Sequence, residues 1–217
     1  MTLQADWFVS FRSPYTYLSE ARVLALTQTY DLDLALRPVL PIAIREPGFF
    51  EKVNPKWPPY VMHDAKRMAE QLSIDFRWPQ PDPVVMNNQT REISPEQPYI
   101  RPISYLGVEA ARRGRGVPFF HEAMGIIWNG SVSDWHEGDH LASAADRSGL
   151  DLVQMQAAIA GNEADYEAEL ANNLSALDTA GHWGVPTLVF EGEPFFGQDR
   201  IAAFEWRLAQ NGLAKRE

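Results

Sequence analysis

Residues 7–18 have the sequence Trp7-Phe-Val-Ser-Phe-Arg-Ser-Pro-Tyr-Thr-Tyr-Leu18, in which a short apolar run is followed at once by a serine and a proline. The run from Trp7 to Phe11 is too short for a helix and rich in strand-favouring residues, which predicts a buried strand. Ser13 can cap free helix amides and Pro14 suits the first helical position. The stretch therefore predicts a strand followed directly by a helix, which runs to about residue 30.

A second strand is predicted over Leu32–Leu36, where leucines alternate with other residues before Arg37-Pro38. The helix between the two strands has the length that a parallel βαβ crossover needs. Near the other end of the chain, residues 185–190 and 193–196 predict a hairpin around the turn Glu191-Gly192, followed by a helix over about 198–210. The predicted fold class is therefore α/β.

The middle of the chain is predicted to be mostly helical. Residues 41–102 are rich in proline and contain one predicted helix, at about 60–72. Helical patterns then follow at residues 105–111, 119–128, 134–148, 152–159 and 163–179. The sequence thus predicts a βαβ…ββα domain formed by about residues 1–40 and 181–217, with a helical insertion domain over about 41–180.

The composition excludes several classes of function. The chain has 217 residues with 19 Lys plus Arg against 29 Asp plus Glu, a net charge of -10, so we expect neither a nucleic acid nor an anionic membrane as the partner. Because it has no cysteine, it cannot carry out dithiol chemistry or use a Cys nucleophile, and any thiol must come from a ligand. The first residues do not look like a secretory leader and no apolar run is long enough for a membrane span, which predicts a cytoplasmic protein.

Two features near the predicted strands are candidates for ligand binding. Ser13, at the amino end of a helix, is placed to stabilise an anion or a thiolate, although an ordinary helix cap would look the same. Pro186 interrupts a predicted central strand, where proline is unusual. A cis Val185–Pro186 bond would leave the Val185 backbone free to pair with a bound peptide, whereas a proline that starts an edge strand would need no such role.

A third candidate is Gly197-Gln198-Asp199-Arg200, predicted at the start of the last helix. Asp199 can accept a hydrogen bond from a ligand ammonium group while helix N–H groups hold a carboxylate, as an amino-acid headgroup requires. An acidic residue in a favourable first turn is the alternative interpretation.

Four segments carry a resemblance to a known family. They are Ser-Pro-Tyr-Thr-Tyr-Leu at 13–18, Tyr-Val-Met-His-Asp-Ala-Lys-Arg at 60–67, Gly-Val-Pro-Thr at 184–187 and Phe-Gly-Gln-Asp-Arg at 196–200. In this order they resemble the thioredoxin-like superfamily, and more narrowly the 2-hydroxychromene-2-carboxylate isomerase family and the related kappa-class glutathione transferases. The resemblance implies a thioredoxin-like fold, bound glutathione as cofactor and a homodimer.

The resemblance also implies roles for individual residues. Ser13 stands where redox relatives have a cysteine, and its hydroxyl would support the glutathione thiol. Val185 would pair its backbone with the cysteinyl part of glutathione beside a cis Pro186. The γ-glutamyl end would be held by Gly197, Gln198 and Asp199, and the bound ligands would face Asn54 and Pro55.

The implied activity is glutathione-dependent cis-trans isomerisation of 2-hydroxychromene-2-carboxylate or a related small aromatic carboxylate. Kappa-type transferase or peroxidase activity, or glutathione binding without catalysis, would use the same residues. Residues His136, Glu137 and His140 match the H-E-x-x-H pattern, so a zinc hydrolase is a further alternative.

The chain departs from its relatives at two positions near the implied site. Ser10 stands where an aspartate is common, and Trp57-Pro58-Pro59 occupies the place of a lysine in some relatives. The cations closest in sequence to the implied site, which would balance the carboxylates of the ligands, are Arg12, Lys56, Arg67 and Arg200.

Overall fold

The computed structural model describes residues 2–87 and 89–216. The described residues do not include Met1, Asn88 and Glu217. Met1 and Glu217 are the end positions of the predicted domain formed by residues 1–40 and 181–217, and Asn88 belongs to the predicted insertion. In chain order the elements are β1 (Leu3–Val9), α1 (Pro14–Thr29), β2 (Leu32–Pro38), α2 (Ile42–Arg45), α3 (Phe49–Lys52), α4 (Trp57–Leu72), α5 (Ile100–Arg112), α6 (Gly116–Trp128), α7 (His140–Arg147), α8 (Leu152–Ile159), α9 (Glu163–Thr179), β3 (Thr187–Phe190), β4 (Glu193–Phe196) and α10 (Ile201–Gln210).

The four strands form one mixed sheet in the order β2-β1-β3-β4. β1 runs parallel to β2, while β3 is antiparallel to both β1 and β4. The prediction of a thioredoxin-like α/β fold, opened by βαβ and closed by ββα, is therefore confirmed.

Strand β1 is buried because helices cover both faces of the sheet at this point. Neighbouring residues of a strand point to opposite faces. Trp7 packs edge-on against Phe120 of α6, with ring centroids 5.2 Å apart, whereas Phe8 packs into a cluster that includes Leu177 of α9. This double cover explains the apolar run Trp7-Phe8-Val9 at the end of β1.

Several predicted boundaries shift by a few residues. β1 begins at Leu3 and ends at Val9, since it pairs with β2 from Leu3 opposite Leu32. α4 begins at Trp57, with prolines in its first turn, where a missing N–H costs nothing.

The predicted helix over residues 134–148 is wrong in its first half. The structure has a turn at 134–139, and α7 begins only at His140. Asp134 and Gly138 have φ angles of 51° and 57°, in the left-handed region, which a right-handed helix cannot contain. In the part of the chain that the structure describes, no helix is both long and apolar enough to cross a membrane.

Candidate functional site

Ser13 is the N-cap of α1. Its backbone is extended, and its Oγ accepts a hydrogen bond of 3.2 Å from the Thr16 N–H. The Ser13 hydroxyl hydrogen has no acceptor among the described residues, so it can donate to a ligand at the positive end of the helix dipole. Ser13 is partly exposed, which makes this donor accessible.

The backbone of Val185, two residues before β3, is free. The Val185–Pro186 bond is cis, as the resemblance implies, and β3 begins only at Thr187. Within residues 2–87 and 89–216, the N–H and C=O of Val185 make no hydrogen bond. They therefore offer one donor and one acceptor to an extended ligand.

The sheet brings Ser13 and Val185 to the same end of the molecule. β1 pairs antiparallel with β3, with Phe8 opposite Thr187. Extending this register by two residues places Ser10 beside Val185, and the Ser13 N–H donates to the Ser10 carbonyl at 3.1 Å. Ser10 is itself buried with an unpartnered Oγ, so a spare polar atom lies under this part of the site.

The segment 197–200 forms a turn before α10, and the last helix begins at Ile201, three residues later than predicted. Gly197 has a φ of +111°, and its N–H donates to the Pro186 carbonyl at 2.9 Å, which ties the turn to the cis-proline segment. A Cβ on Gly197 would lie 2.5 Å from the Asp199 Oδ1, so the carboxylate folds back over the glycine. The turn itself, rather than the first turn of α10, thus carries Gln198 and Asp199.

Gln198 is held in place by Arg22 of α1, a residue that the sequence did not single out. The Arg22 guanidinium donates to the Gln198 Oε1 at 2.5 Å and to the Leu18 carbonyl at 3.0 Å. This orientation leaves the side-chain NH₂ of Gln198 free to donate. Burial lowers the pKa of Arg22, and the negative charge of the nearby Asp199 carboxylate opposes this shift. A partly desolvated guanidinium therefore lies close to Asp199.

Among the described residues, neither Asn54 nor Pro55 makes a hydrogen bond to this group. The Asn54 Oδ1 accepts the Lys56 N–H at 3.0 Å, and the side chain is exposed in the turn before α4. The structure thus gives Asn54 a local turn-forming bond, and its predicted role towards ligands stays a prediction.

Three of the four cations expected near the site are already paired with carboxylates. Arg12 bonds Asp82 at 3.0 and 2.9 Å, Arg67 pairs with Asp64, and Arg200 pairs with Asp199 at 2.8 Å. Lys56 is exposed and makes no ion pair with any described residue.

Arg45 of α2 is a cation that does not stand out in the sequence. It donates to the Trp183 carbonyl at 3.1 Å, two residues before Val185, and its Nε is buried without a partner. Burial lowers the pKa of Arg45, and the neighbouring Glu46 opposes the shift. A guanidinium with a spare donor therefore lies against the segment that leads into Pro186.

An aromatic surface continues from the same segment. The rings of His182 and Phe196 stack with centroids 4.0 Å apart, and Trp183 stacks on His182 at 5.6 Å. Trp183 is 59% exposed and Phe196 is 44% exposed. Burial lowers the pKa of His182, and its Nδ1 accepts the Gly184 N–H at 2.9 Å, so the ring is neutral near pH 7 and adds to an apolar face that suits a flat ligand.

Two residues after Ser13, Tyr15 donates its hydroxyl to Asp64 of α4 at 2.7 Å. Burial first, and then this hydrogen bond, raises the pKa of Tyr15, so the phenol stays protonated at neutral pH. Burial also raises the pKa of Asp64, but hydrogen bonds from Tyr15 and Arg67 outweigh it and leave that pKa below its ordinary value. The pair fixes α4 against α1 beside the candidate site.

The zinc pattern does not have the geometry that it requires. Because α7 begins at His140, His136 lies in the preceding turn and the two histidines do not share a helix face. His136 instead packs against Tyr99, with ring centroids 4.5 Å apart. Among the described residues, no group of three or more His, Asp or Glu side chains is placed to hold a metal ion.

Comparison with known proteins now decides the family. The model of the DSBA-like thioredoxin domain matches residues 4–209. The chain belongs to the DsbA-like thioredoxin family. A search of curated protein sequences finds no significant match.

Several solved structures share the fold at low sequence identity. A 2-hydroxychromene-2-carboxylate isomerase superposes with a TM-score of 0.64 at 18% identity, covering 96% of this chain and 95% of that one. A probable DsbA oxidoreductase from Streptomyces coelicolor has a TM-score of 0.64 at 17% identity, covering 96% and 89%. The cytosolic disulfide reductase DsbM from Pseudomonas aeruginosa has a TM-score of 0.58 at 16% identity, covering 96% and 100%. These structural neighbours thus include an isomerase, a probable DsbA oxidoreductase and a disulfide reductase.

Proposed function

We propose that this DsbA-like protein is a glutathione-dependent cis-trans isomerase that acts on 2-hydroxychromene-2-carboxylate or a related small aromatic carboxylate. The observation that carries the proposal is Ser13 as N-cap of α1, with a free hydroxyl donor, at the sheet end that also holds the free backbone of Val185. The chain has no cysteine, so it has no redox-active dithiol of its own at this site. A thiol cofactor would supply what the protein lacks.

Glutathione matches the groups at the site. Its cysteinyl backbone is extended and would pair with the free N–H and C=O of Val185. Its γ-glutamyl ammonium group would meet the carboxylate of Asp199, and the side-chain NH₂ of Gln198 would donate to the γ-glutamyl carboxylate. Its thiol would then lie towards Ser13. Among the structural neighbours, DsbM has also been solved with GSH, at a TM-score of 0.58.

Ser13 and the α1 N-terminus would lower the pKa of the bound thiol, which is about 8.5 in free cysteine. A thiolate accepts a hydrogen bond from the Ser13 hydroxyl and is stabilised by the helix dipole. The hydroxyl acts only as a donor and makes no covalent bond to the substrate.

The isomerisation consumes nothing. The thiolate adds to one carbon of the conjugated double bond, so that a C–S bond forms and the electron pair of the double bond moves into the conjugated carbonyl. The former double bond is now single and rotates. Elimination breaks the C–S bond, restores the double bond in the other geometry and releases the thiolate. The exposed rings of Trp183 and Phe196 supply a flat surface for the aromatic part of the substrate.

The test is a spectrophotometric isomerisation assay with 2-hydroxychromene-2-carboxylate, with and without reduced glutathione. We expect turnover only with glutathione, and S-methylglutathione, which has no free thiol, should fail to replace it. Turnover without any thiol would refute the proposed chemistry. Consumption of glutathione in step with product would instead indicate transfer.

A further inference from the structure

A cavity of about 790 Å³ lies away from the candidate site, along the outer edge of β2. Its floor is the stretch Leu32–Arg37, and its walls come from the end of α1 and the start of α6. β2 is an edge strand of the sheet, and among the described residues it pairs with β1 alone. The cavity is therefore a groove that follows an open sheet edge.

The backbone of β2 directs unpaired groups into this groove. In a parallel pair, alternate residues of a strand turn both N–H and C=O towards the neighbour. The Leu3 N–H donates to the Asp31 carbonyl at 3.2 Å and the Val39 N–H to the Val9 carbonyl at 2.9 Å, so the odd-numbered residues of β2 face β1. The backbone N–H and C=O groups of the even-numbered Leu34 and Leu36 consequently point into the groove.

The backbone N–H and C=O groups of Leu34 and Leu36 are unpaired, and the strand holds them in position. Across the two described ranges, neither backbone makes a hydrogen bond to another element. Both side chains are buried in the core, at 8% and 4% exposure, so the strand cannot turn its edge away. Two N–H and two C=O groups thus stand in the pattern that a further strand would pair with.

The groove is lined by five arginines against three carboxylates, those of Asp33, Glu122 and Glu169, although the protein has a net charge of -10. Three of its arginines are paired with carboxylates, whereas Arg115 and Arg216 bond only backbone carbonyls and form no ion pair with a described residue. Arg216 reaches the Leu32 carbonyl at 3.4 Å, and Gly116, next to Arg115, lies against Leu36. Arg216 and the backbone next to Arg115 thus lie near opposite ends of this edge, where the positions of Leu32 and Leu36 are about 13 Å apart at about 3.3 Å per residue.

We propose that this groove binds an extended acidic peptide segment of another protein, which adds to β2 as a fifth strand. Carboxylates four residues apart in an extended segment lie on one side of the strand and span about 13 Å, which matches the length of the β2 edge between Leu32 and Leu36. A second copy of this chain fits less well. Pairing two copies along β2 would bring Arg115 and Arg216 of one copy close to the corresponding arginines of the other, and like charges repel. The proposal is independent of the glutathione site.

The probe is a short capped peptide of valine and threonine with two glutamates four residues apart, added to the full-length protein. Hydrogen exchange followed by NMR reports on individual amides. We expect saturating peptide to slow exchange at the Leu34 and Leu36 amides by at least about tenfold, as hydrogen bonding to a new strand requires. Unchanged exchange at both amides would refute strand addition.

Matched probes separate strand pairing from simple charge attraction. A peptide N-methylated on the residues that face β2 should lose binding, and one methylated on the alternate residues should keep it. Equal binding of both methylated peptides would overturn the proposal. Protection of the same amides without peptide, together with a doubled mass in sedimentation, would also overturn it, since a second copy would then occupy the edge.

Variants of the protein test the charge argument. Arg115→Gln and Arg216→Gln should each weaken peptide binding about two- to fivefold, the effect of one exposed ion pair. Arg91→Gln removes the same charge from an exposed loop outside the groove and should leave the affinity unchanged. Equal effects of all three variants would show that only net charge matters and would contradict the proposed site.

Discussion

Replacing Ser13 with alanine should change the bound thiol far more than it changes the fold. The substitution removes the Oγ that accepts the Thr16 N–H at 3.2 Å, and loss of such a cap costs about 1 kcal/mol. In a chain of this size that cost lowers the melting temperature by about 2–4 °C. The protein should therefore remain folded at assay temperature.

The effect on glutathione follows from the hydroxyl donor. A hydrogen bond to a charged group contributes about 1.5–3 kcal/mol, and about 1.36 kcal/mol corresponds to one pKa unit. Ser13→Ala should therefore raise the pKa of the bound glutathione thiol by about one to two units and lower turnover at neutral pH. The thiol pKa is measured from thiolate absorbance in the ultraviolet as the pH of the complex is raised.

Asp151→Ala is the matched control. Asp151 is the N-cap of α8 and accepts the Gln154 N–H at 3.1 Å, as Ser13 does for α1. It should cost the protein a similar free energy of unfolding without moving the thiol pKa. If Ser13→Ala and Asp151→Ala leave the same thiol pKa and the same turnover, Ser13 is only a helix cap and the reasoning is refuted.

Three further results are expected. Asp199→Ala should weaken glutathione binding about tenfold, the loss of one charge-assisted contact, and an unchanged dissociation constant in calorimetry would remove Asp199 from the site. Gly197→Ala should lower the free energy of unfolding in denaturant by about 1–3 kcal/mol, and by more than Gly161→Ala, because Gly161 also has a positive φ but has open space where a Cβ would lie. The hydrogen bond to buried Glu20 raises the pKa of His121, so the stability that the charged imidazole contributes is fully present below its ordinary pKa of about 6.5 and is lost as the pH rises above it. Wild-type stability should thus fall more steeply from there than that of Glu20→Gln, and parallel pH profiles would contradict this coupling.

The parts of the fold that local chemistry determines could be predicted from the sequence. Ser13-Pro14 gives α1 its start, and Glu191-Gly192 gives the hairpin its turn, because capping and turn preferences act over a few residues. The turn at 134–139 could not be predicted, because its polar pattern suits a helix and the left-handed backbone at Asp134 and Gly138 is not visible in that pattern.

The missed site residues depend on contacts between distant parts of the chain. Arg22 meets Gln198 across 176 positions, and Arg45 meets Trp183 across 138. Neither arginine lies in a motif, so only the folded structure brings them to the candidate site. The converse holds for Arg12, Arg67 and Arg200, which lie near the site in sequence, because only the structure shows that they are already paired with Asp82, Asp64 and Asp199.

The central claim is that the site around Ser13 and Val185 binds glutathione, and isothermal titration of the full-length protein with reduced glutathione tests it most directly. The account predicts saturable binding of one glutathione molecule per chain. S-methylglutathione should bind more weakly than glutathione because it cannot form a thiolate. Asp199→Ala should also weaken glutathione binding, through the γ-glutamyl end of the ligand. Absence of heat and of any glutathione-dependent change in stability would contradict it.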